Sequence, residues 1–184
     1  LCIHSFKSHT KVFDWEIPDE WNIYDAYIEH ESGKRFAEFS VNNLHVLGYS
    51  TPCDTNISLD ELLPHIYTQP DQPDLIPYVT SYYSDRWGFC MSEKDKRSLP
   101  KGKYHVVIDA KKGPGSLELA DLKINGKSSN EIFFSTNVCH PSLANNELSG
   151  LVISTALIQY VKEKYPNSKY TYRFVFVAET IGSI

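Results

Sequence analysis

Glu131-Ile-Phe-Phe-Ser-Thr-Asn-Val-Cys-His-Pro-Ser-Leu-Ala-Asn-Asn-Glu-Leu-Ser-Gly150 is the stretch on which the reading of this 184-residue chain turns. Its apolar start, Ile132 to Phe134 and on to Val138 and Cys139, has the length of a buried strand. A polar loop carrying His140 follows, and then Asn145, Asn146 and Glu147. From Leu148 the apolar residues recur at helical spacing: Leu151, Val152, Thr155, Ala156, Ile158, Gln159 and Val161. Tyr165-Pro166-Asn167 ends that helix, and Tyr170 to Ala178 returns as a strand closing on Glu179. The order strand, loop, helix, strand predicts a right-handed crossover between parallel strands. In open α/β sheets the carboxyl ends of such strands are where ligands bind, and here they carry His140 and Glu179.

Composition narrows the function classes. With 41% hydrophobic and 13% aromatic residues the chain can build a core, unlike a disordered segment. A net charge of -5 with no long basic run argues against nucleic acid as a partner, since phosphates need clustered Lys and Arg. Nothing approaches a membrane span, and no signal-peptide pattern is visible, so the expected setting is cytoplasmic, away from a membrane. Cys2, Cys53, Cys90 and Cys139 lack Cys-x-x-Cys spacing and read as buried free thiols. The chain stops just past an apolar strand with little left to cover it, which suggests a piece of a longer protein.

Upstream, the pattern is β-rich. Val12, Phe13, Trp15 and Ile17 suggest one strand ended by Pro18, and Tyr24–Glu29 with Arg35–Phe39 suggest a hairpin turning at Ser32-Gly33. Leu44–Tyr49 reads as a strand, and Tyr78–Tyr83 with Trp87–Met91 as a strand pair. Ser58-Leu-Asp-Glu61 has the form of a capping box opening a helix cut short by Pro64. Lys94–Lys103 reads as a solvated loop. Tyr104–Ala110 and Leu117–Ile124 look like hairpin partners across Gly113-Pro114-Gly115. The expected organisation is residues 1–17 as the first part of a core, 18–100 as an inserted β-rich domain, and 101–184 as the α/β core continued and truncated at its C-terminal end.

Imidazole and carboxylate are good zinc ligands, and a catalytic zinc keeps an open position for water. A glutamate outside the ligand set can then serve as general base. His140 and the Asn145-Asn146-Glu147 cluster at one strand end, with Glu179 at the other, permit that arrangement. On spacing alone an ordinary structural account is favoured: Asn145 and Asn146 cap the helix, His140 satisfies local backbone, and Glu179 pairs with a basic residue. His4, His9, His30, His65 and His105 have no partners at ligand spacing and read as surface or packing residues.

Longer stretches carry more information. Val12 to Ile23, Asn43-Leu-His45, Ile76 to Tyr83, Trp87 to Cys90, Cys139-His-Pro-Ser142, Ala144 to Gly150 and Phe174 to Ser183 run over nearly the whole chain. Together they resemble the aminopeptidase-like family of the co-catalytic zinc peptidases, in the branch with an inserted domain of formerly unknown function. The resemblance implies an α/β fold, a phosphorylase/hydrolase-like mixed-sheet core, here partial, with an inserted β-rich small domain. It implies that His140 is a zinc ligand, that Asn146 stands where a bridging aspartate would, and that Glu179 is the general base. Three departures deplete the carboxylates: Ser142 in the His-x-Asp position, the neutral Asn146, and Thr180 in place of a second glutamate. A single zinc ion is therefore expected, weakly held or absent in this chain alone, with Glu147 as substitute ligand.

The expected function is that of a zinc-dependent aminopeptidase-like hydrolase, in which metal-activated water attacks a peptide, aminoacyl or amide bond beside a free amine. The alternative is a non-catalytic binding module on the same fold after loss of metal ligands. Asn43–His45, the Tyr78–Tyr83 aromatics and Trp87 are either cleft lining or packing, with packing favoured. A glycan- or partner-binding role for the aromatic-rich 18–100 segment is a further possibility.

Overall fold

In the computed structural model the described residues are 1–82, 84–140 and 144–178. Along the chain, β1 (Cys2–Lys7), β2 (Lys11–Val12) and β3 (Trp15–Glu16) come first. β4 (Glu20–His30), β5 (Arg35–Phe36), β6 (Cys53–Ser58), α1 (Leu59–Leu62), β7 (Ile66–Tyr67), β8 (Phe89–Cys90), α2 (Glu93–Arg97) and β9 (Lys103–Gly113) follow. β10 (Ser116–Ile124), β11 (Glu131–Asn137), α3 (Ser149–Lys164) and β12 (Thr171–Val177) complete the order. Two compact units result: Leu1–Asp19 with Pro114–Ile184, and Glu20–Gly113, which interrupts the first in sequence.

The Glu20–Gly113 unit is a twisted antiparallel sheet in the order β5-β4-β9-β6. β4 and β9 alternate buried and exposed positions, as strands with one covered face must. Ala26, Ile28, Tyr104, Val106 and Ile108 from that face join Val46, Leu62, Ile66, Phe89, Met91 and Leu99 in one core cluster. The hairpin at Ser32-Gly33 forms as its sequence requires, with Gly33 at φ 82°. Ser58 and Glu61 make the reciprocal capping box ahead of α1.

The other unit holds a mixed sheet ordered β1-β10-β12-β11, antiparallel except for the β11–β12 pair. Parallel pairing of β11 with β12 across α3 is the crossover that the periodicity predicts. Phe174 is fully buried, with the Phe134 ring stacked on it at 4.7 Å. Phe133, Val152 and Ile153 stay exposed. Among the described residues no helix is long and apolar enough to cross a membrane.

Several expectations from the sequence are corrected. Cys2–Lys7 is a strand that went unassigned, held by a six-residue ladder to β10. The expected single strand from Val12 to Ile17 is a tight hairpin, because Phe13 takes φ 56° and reverses the chain. Asn42 accepts from Leu44 N and winds Asn43–His45 into a 3-10 turn, so the strand expected from Leu44 to Tyr49 does not start at Leu44. Phe89 and Cys90 pair in parallel with Ile66 and Tyr67 instead of with Tyr78–Tyr83, of which Tyr83 lies outside the described residues. β6 also went unassigned, and within Lys94–Lys103 the Ser92 side chain caps α2. Finally, β9 and β10 are not a hairpin. β9 pairs with β4 and β6, whereas β10 pairs with β1 and β12.

Candidate metal centre

The last rung of the parallel pair sets Asn137 beside Val177, and Val138 N donates to Val177 O at 2.7 Å. The two carboxyl ends therefore stop at the same level, and three residues later β11 has delivered His140. His140 and Cys139 are half-buried. Glu179 and Thr180, and also Ser142, lie outside the described residues.

The chain enters α3 through a π-helical turn, Ala144–Leu148. Wider than an α turn, it changes which side chains face inward, and such turns are frequent at functional sites. Glu147 points inward with 5% of its surface exposed, whereas Asn145 and Asn146 are exposed. Among the described residues no side chain caps α3, so capping does not account for the asparagine pair. Ser149 Oγ donates to Asn145 O at 2.8 Å, and Gly150 lies hard against Thr136 of β11, which seats the turn on the strand.

Glu147 Oε2 accepts from Cys139 N at 2.9 Å, tying the carboxylate to the backbone next to His140. Among the described residues its other oxygen, Oε1, is buried without a hydrogen-bond partner. Leaving a carboxylate oxygen dry and unpaired costs free energy, so native structures supply a partner such as a proton, a water or an ion. A divalent cation fits this donor set. One carboxylate oxygen is committed to an N–H and the other is free to ligate, close in sequence to an imidazole. Glu147 and His140 could thus hold a metal, while Asn146 is turned to solvent.

The remaining candidates resolve as packing or surface pairs. His45 Nδ1 bonds Cys90 O at 2.8 Å, and the His65 ring stacks on Trp87 at 3.6 Å. His9 pairs with Glu16 and Asp19, and His105 with Asp54. His30 bonds Ser32. None of the four cysteines is in a disulfide; Cys90 is buried, Cys2 is exposed, and Cys53 and Cys139 are intermediate. The sequence reading missed the cluster of Cys2, His4 and Asp121. Its signal was the Cys-x-His spacing, which places both side chains on one face once the segment is known to be a strand.

Residues 20–111 match a family described as a domain of unknown function, DUF2172, which nearly coincides with the Glu20–Gly113 unit. A Clostridium acetobutylicum protein, provisionally described as a polysaccharide biosynthesis protein with an aminopeptidase-like domain, is 45% identical over 184 residues. That alignment takes in 100% of this chain and 42% of the relative, so the chain spans about two fifths of that protein. A crystal structure from the same organism, provisionally described as a peptidase, superposes with TM-score 0.93 at 44% identity. It covers 98% of this chain and 42% of that one. The zinc aminopeptidase BSAP of Bacillus subtilis gives TM-score 0.54 at 10% identity, over 96% of this chain and 51% of its own. A peptidase M28 precursor of Shewanella amazonensis gives 0.58 at 10%, over 97% and 55%. The last two likenesses are likenesses of fold.

Proposed function

Because this chain belongs to the aminopeptidase-like family that carries the DUF2172 domain, we propose that it serves a zinc-dependent hydrolase cleaving a peptide or amide bond next to a free amine. The observation that carries the reading is Glu147 Oε1, buried and unpaired beside the backbone that leads into His140. In this reading His140 and Glu147 hold one zinc ion, and Asn146 stands at the rim as a neutral, weaker donor.

Bound zinc would polarise the scissile carbonyl and lower the pKa of a coordinated water. The chain's own residues supply the rest. Cys139 N–H fixes one oxygen of Glu147, so that the other is held ready to ligate without a search over rotamers. His140 would supply an imidazole nitrogen as the second ligand. Glu179, two residues beyond the last rung of β12, takes the proton from the attacking water and passes it to the leaving amine.

The test is an assay of the protein with aminoacyl reporter substrates, with and without a chelator, beside Glu179→Gln. Activity should fall with chelation and by about 10²-fold or more in the variant, as expected for loss of a general base. Activity indifferent to both would refute the mechanism. A second reading, a binding module that keeps the fold without the chemistry, draws on the neutral and exposed Asn146 and on Thr180. Stoichiometric zinc in the purified protein would remove its support.

A further inference from the structure

We propose that Cys2, His4 and Asp121 form a second metal site, for a divalent cation of the zinc class, on the sheet face opposite α3. The sheet register places them together. Cys2 lies opposite Asp121 and His4 opposite Leu119, so all three side chains point the same way. Thr136, against which Gly150 of α3 packs, is in register through Phe176 and Ala120 with Ile3, one residue out of step, and so belongs to the other face. This site is therefore separate from the strand-end centre of His140 and Glu147.

The donor set is one thiol, one imidazole and one carboxylate, with all ligand atoms within 4.8 Å of one another. At metal–ligand distances of about 2.0 to 2.3 Å, a tetrahedral zinc site separates its ligands by roughly 3.3 to 3.8 Å. His4 Nε2 and Asp121 Oδ2, hydrogen-bonded at 2.6 Å, would open slightly around the ion, and Cys2 would close by at most about 1 Å. Cys2 is exposed. Three protein ligands leave a fourth position for water, and the sulfur selects zinc-class ions over magnesium or calcium.

The surroundings are built to orient the carboxylate. Arg173 Nη1 donates to Asp121 Oδ1 at 3.1 Å, leaving Oδ2 for the ligand role. The Arg173 charge that would oppose a cation is itself neutralised by two bonds to Glu131, at 2.6 and 3.1 Å. Metal ligation takes the thiolate and an imidazole nitrogen without its proton, so affinity should rise with pH.

Cobalt(II) is the probe, because a thiolate ligand gives it a near-ultraviolet charge-transfer band that nitrogen and oxygen ligands do not. The titration is run on the wild type and on His140→Ala/Glu147→Gln, so that failure of the hydrolase reading and failure of this one are distinguishable. The band should develop with one equivalent of cobalt in both proteins and vanish in Cys2→Ser. It should require about ten-fold more cobalt in His4→Ala, with circular dichroism confirming the fold of each variant. Absence of the band in the wild type, or its survival in Cys2→Ser, overturns the proposal.

Discussion

Gly150 approaches Thr136 so closely that a Cβ added at Gly150 would overlap the threonine hydroxyl. This contact brings the first turn of α3 onto β11 at the level where the strand gives way to the candidate metal centre. At an open helix position, Gly→Ala stabilises by about 1 kcal/mol. Here the overlap reverses the sign, because forcing an extra carbon into a filled contact costs about 1 to 3 kcal/mol. Gly150→Ala should therefore lower the denaturant midpoint, and adding Thr136→Ala should restore much of the loss. A midpoint raised by Gly150→Ala alone would show that the contact yields easily.

Glu147 holds two roles that substitution can separate. Glu147→Gln keeps an acceptor for Cys139 N–H but removes the anionic oxygen, so stability without metal should stay within about 1 kcal/mol of the wild type. Glu147→Ala removes that acceptor and the buried carboxylate and should cost about 1 to 3 kcal/mol. On the hydrolase reading, zinc at a hundred times its Kd should stabilise the parent by about 2.7 kcal/mol and the Gln variant by far less. Denaturant unfolding in a Cys2→Ser background, where only this centre answers, makes the comparison. Equal zinc stabilisation of parent and Gln variant would exclude Glu147 as a ligand.

The contrast between β11–α3–β12 and the rest shows what the sequence makes legible. Ile132 to Phe134, the helical recurrence after Leu148 and the Phe174–Val177 run each declare their element locally, and their order dictates a parallel crossover. β1 and β6 do not declare themselves. Cys-Asp-Thr-Asn is a poor strand by propensity, and β6 exists because β9 offers it a ladder. The turn at Gly113-Pro114-Gly115 suggests a hairpin to any local reading, but the pairing energy of β9 lies with β4 and β6. At the centre, His140 and Glu147 stood out by residue type. The inward turn of Glu147 and the outward turn of Asn146 depend on a π-helical turn that no residue pattern announced.

Acid should act on the β10–β12–β11 face through Glu131. Bonds from Arg173 and then Lys123 hold its carboxyl down at about 2, against an ordinary value of 4.5. Asp121 is lowered too, chiefly by its bond to His4. A carboxylate lowered on folding adds stability above its unfolded pKa, and that contribution is lost as pH falls through the folded value. For Glu131 the loss should run from about pH 4.5 to about 2. Arg173→Met should return the Glu131 titration, followed by NMR of its carboxyl carbon, toward the ordinary value and flatten the acid dependence of unfolding. An unchanged titration in that variant would mean that Lys123 alone holds the charge.

The four cysteines should react in an order set by burial. Burial pushes the Cys90 thiol up to about 11 from an ordinary 9.0, and Cys53 is raised for the same reason. Two pKa units reduce the thiolate fraction, the form that alkylates, by about a hundred-fold at neutral pH. Cys90 is also enclosed by the core that Phe89 and Met91 complete, so steric access adds to the electrostatic barrier. Exposed Cys2 should label first with iodoacetamide, and Cys90 only at the rate of unfolding, as time-quenched peptide mass spectrometry would read. Zinc should then slow Cys2 selectively if the thiol is a ligand, while leaving Cys53 unchanged. Labelling of native Cys90 as fast as Cys2 would contradict the buried placement of β8.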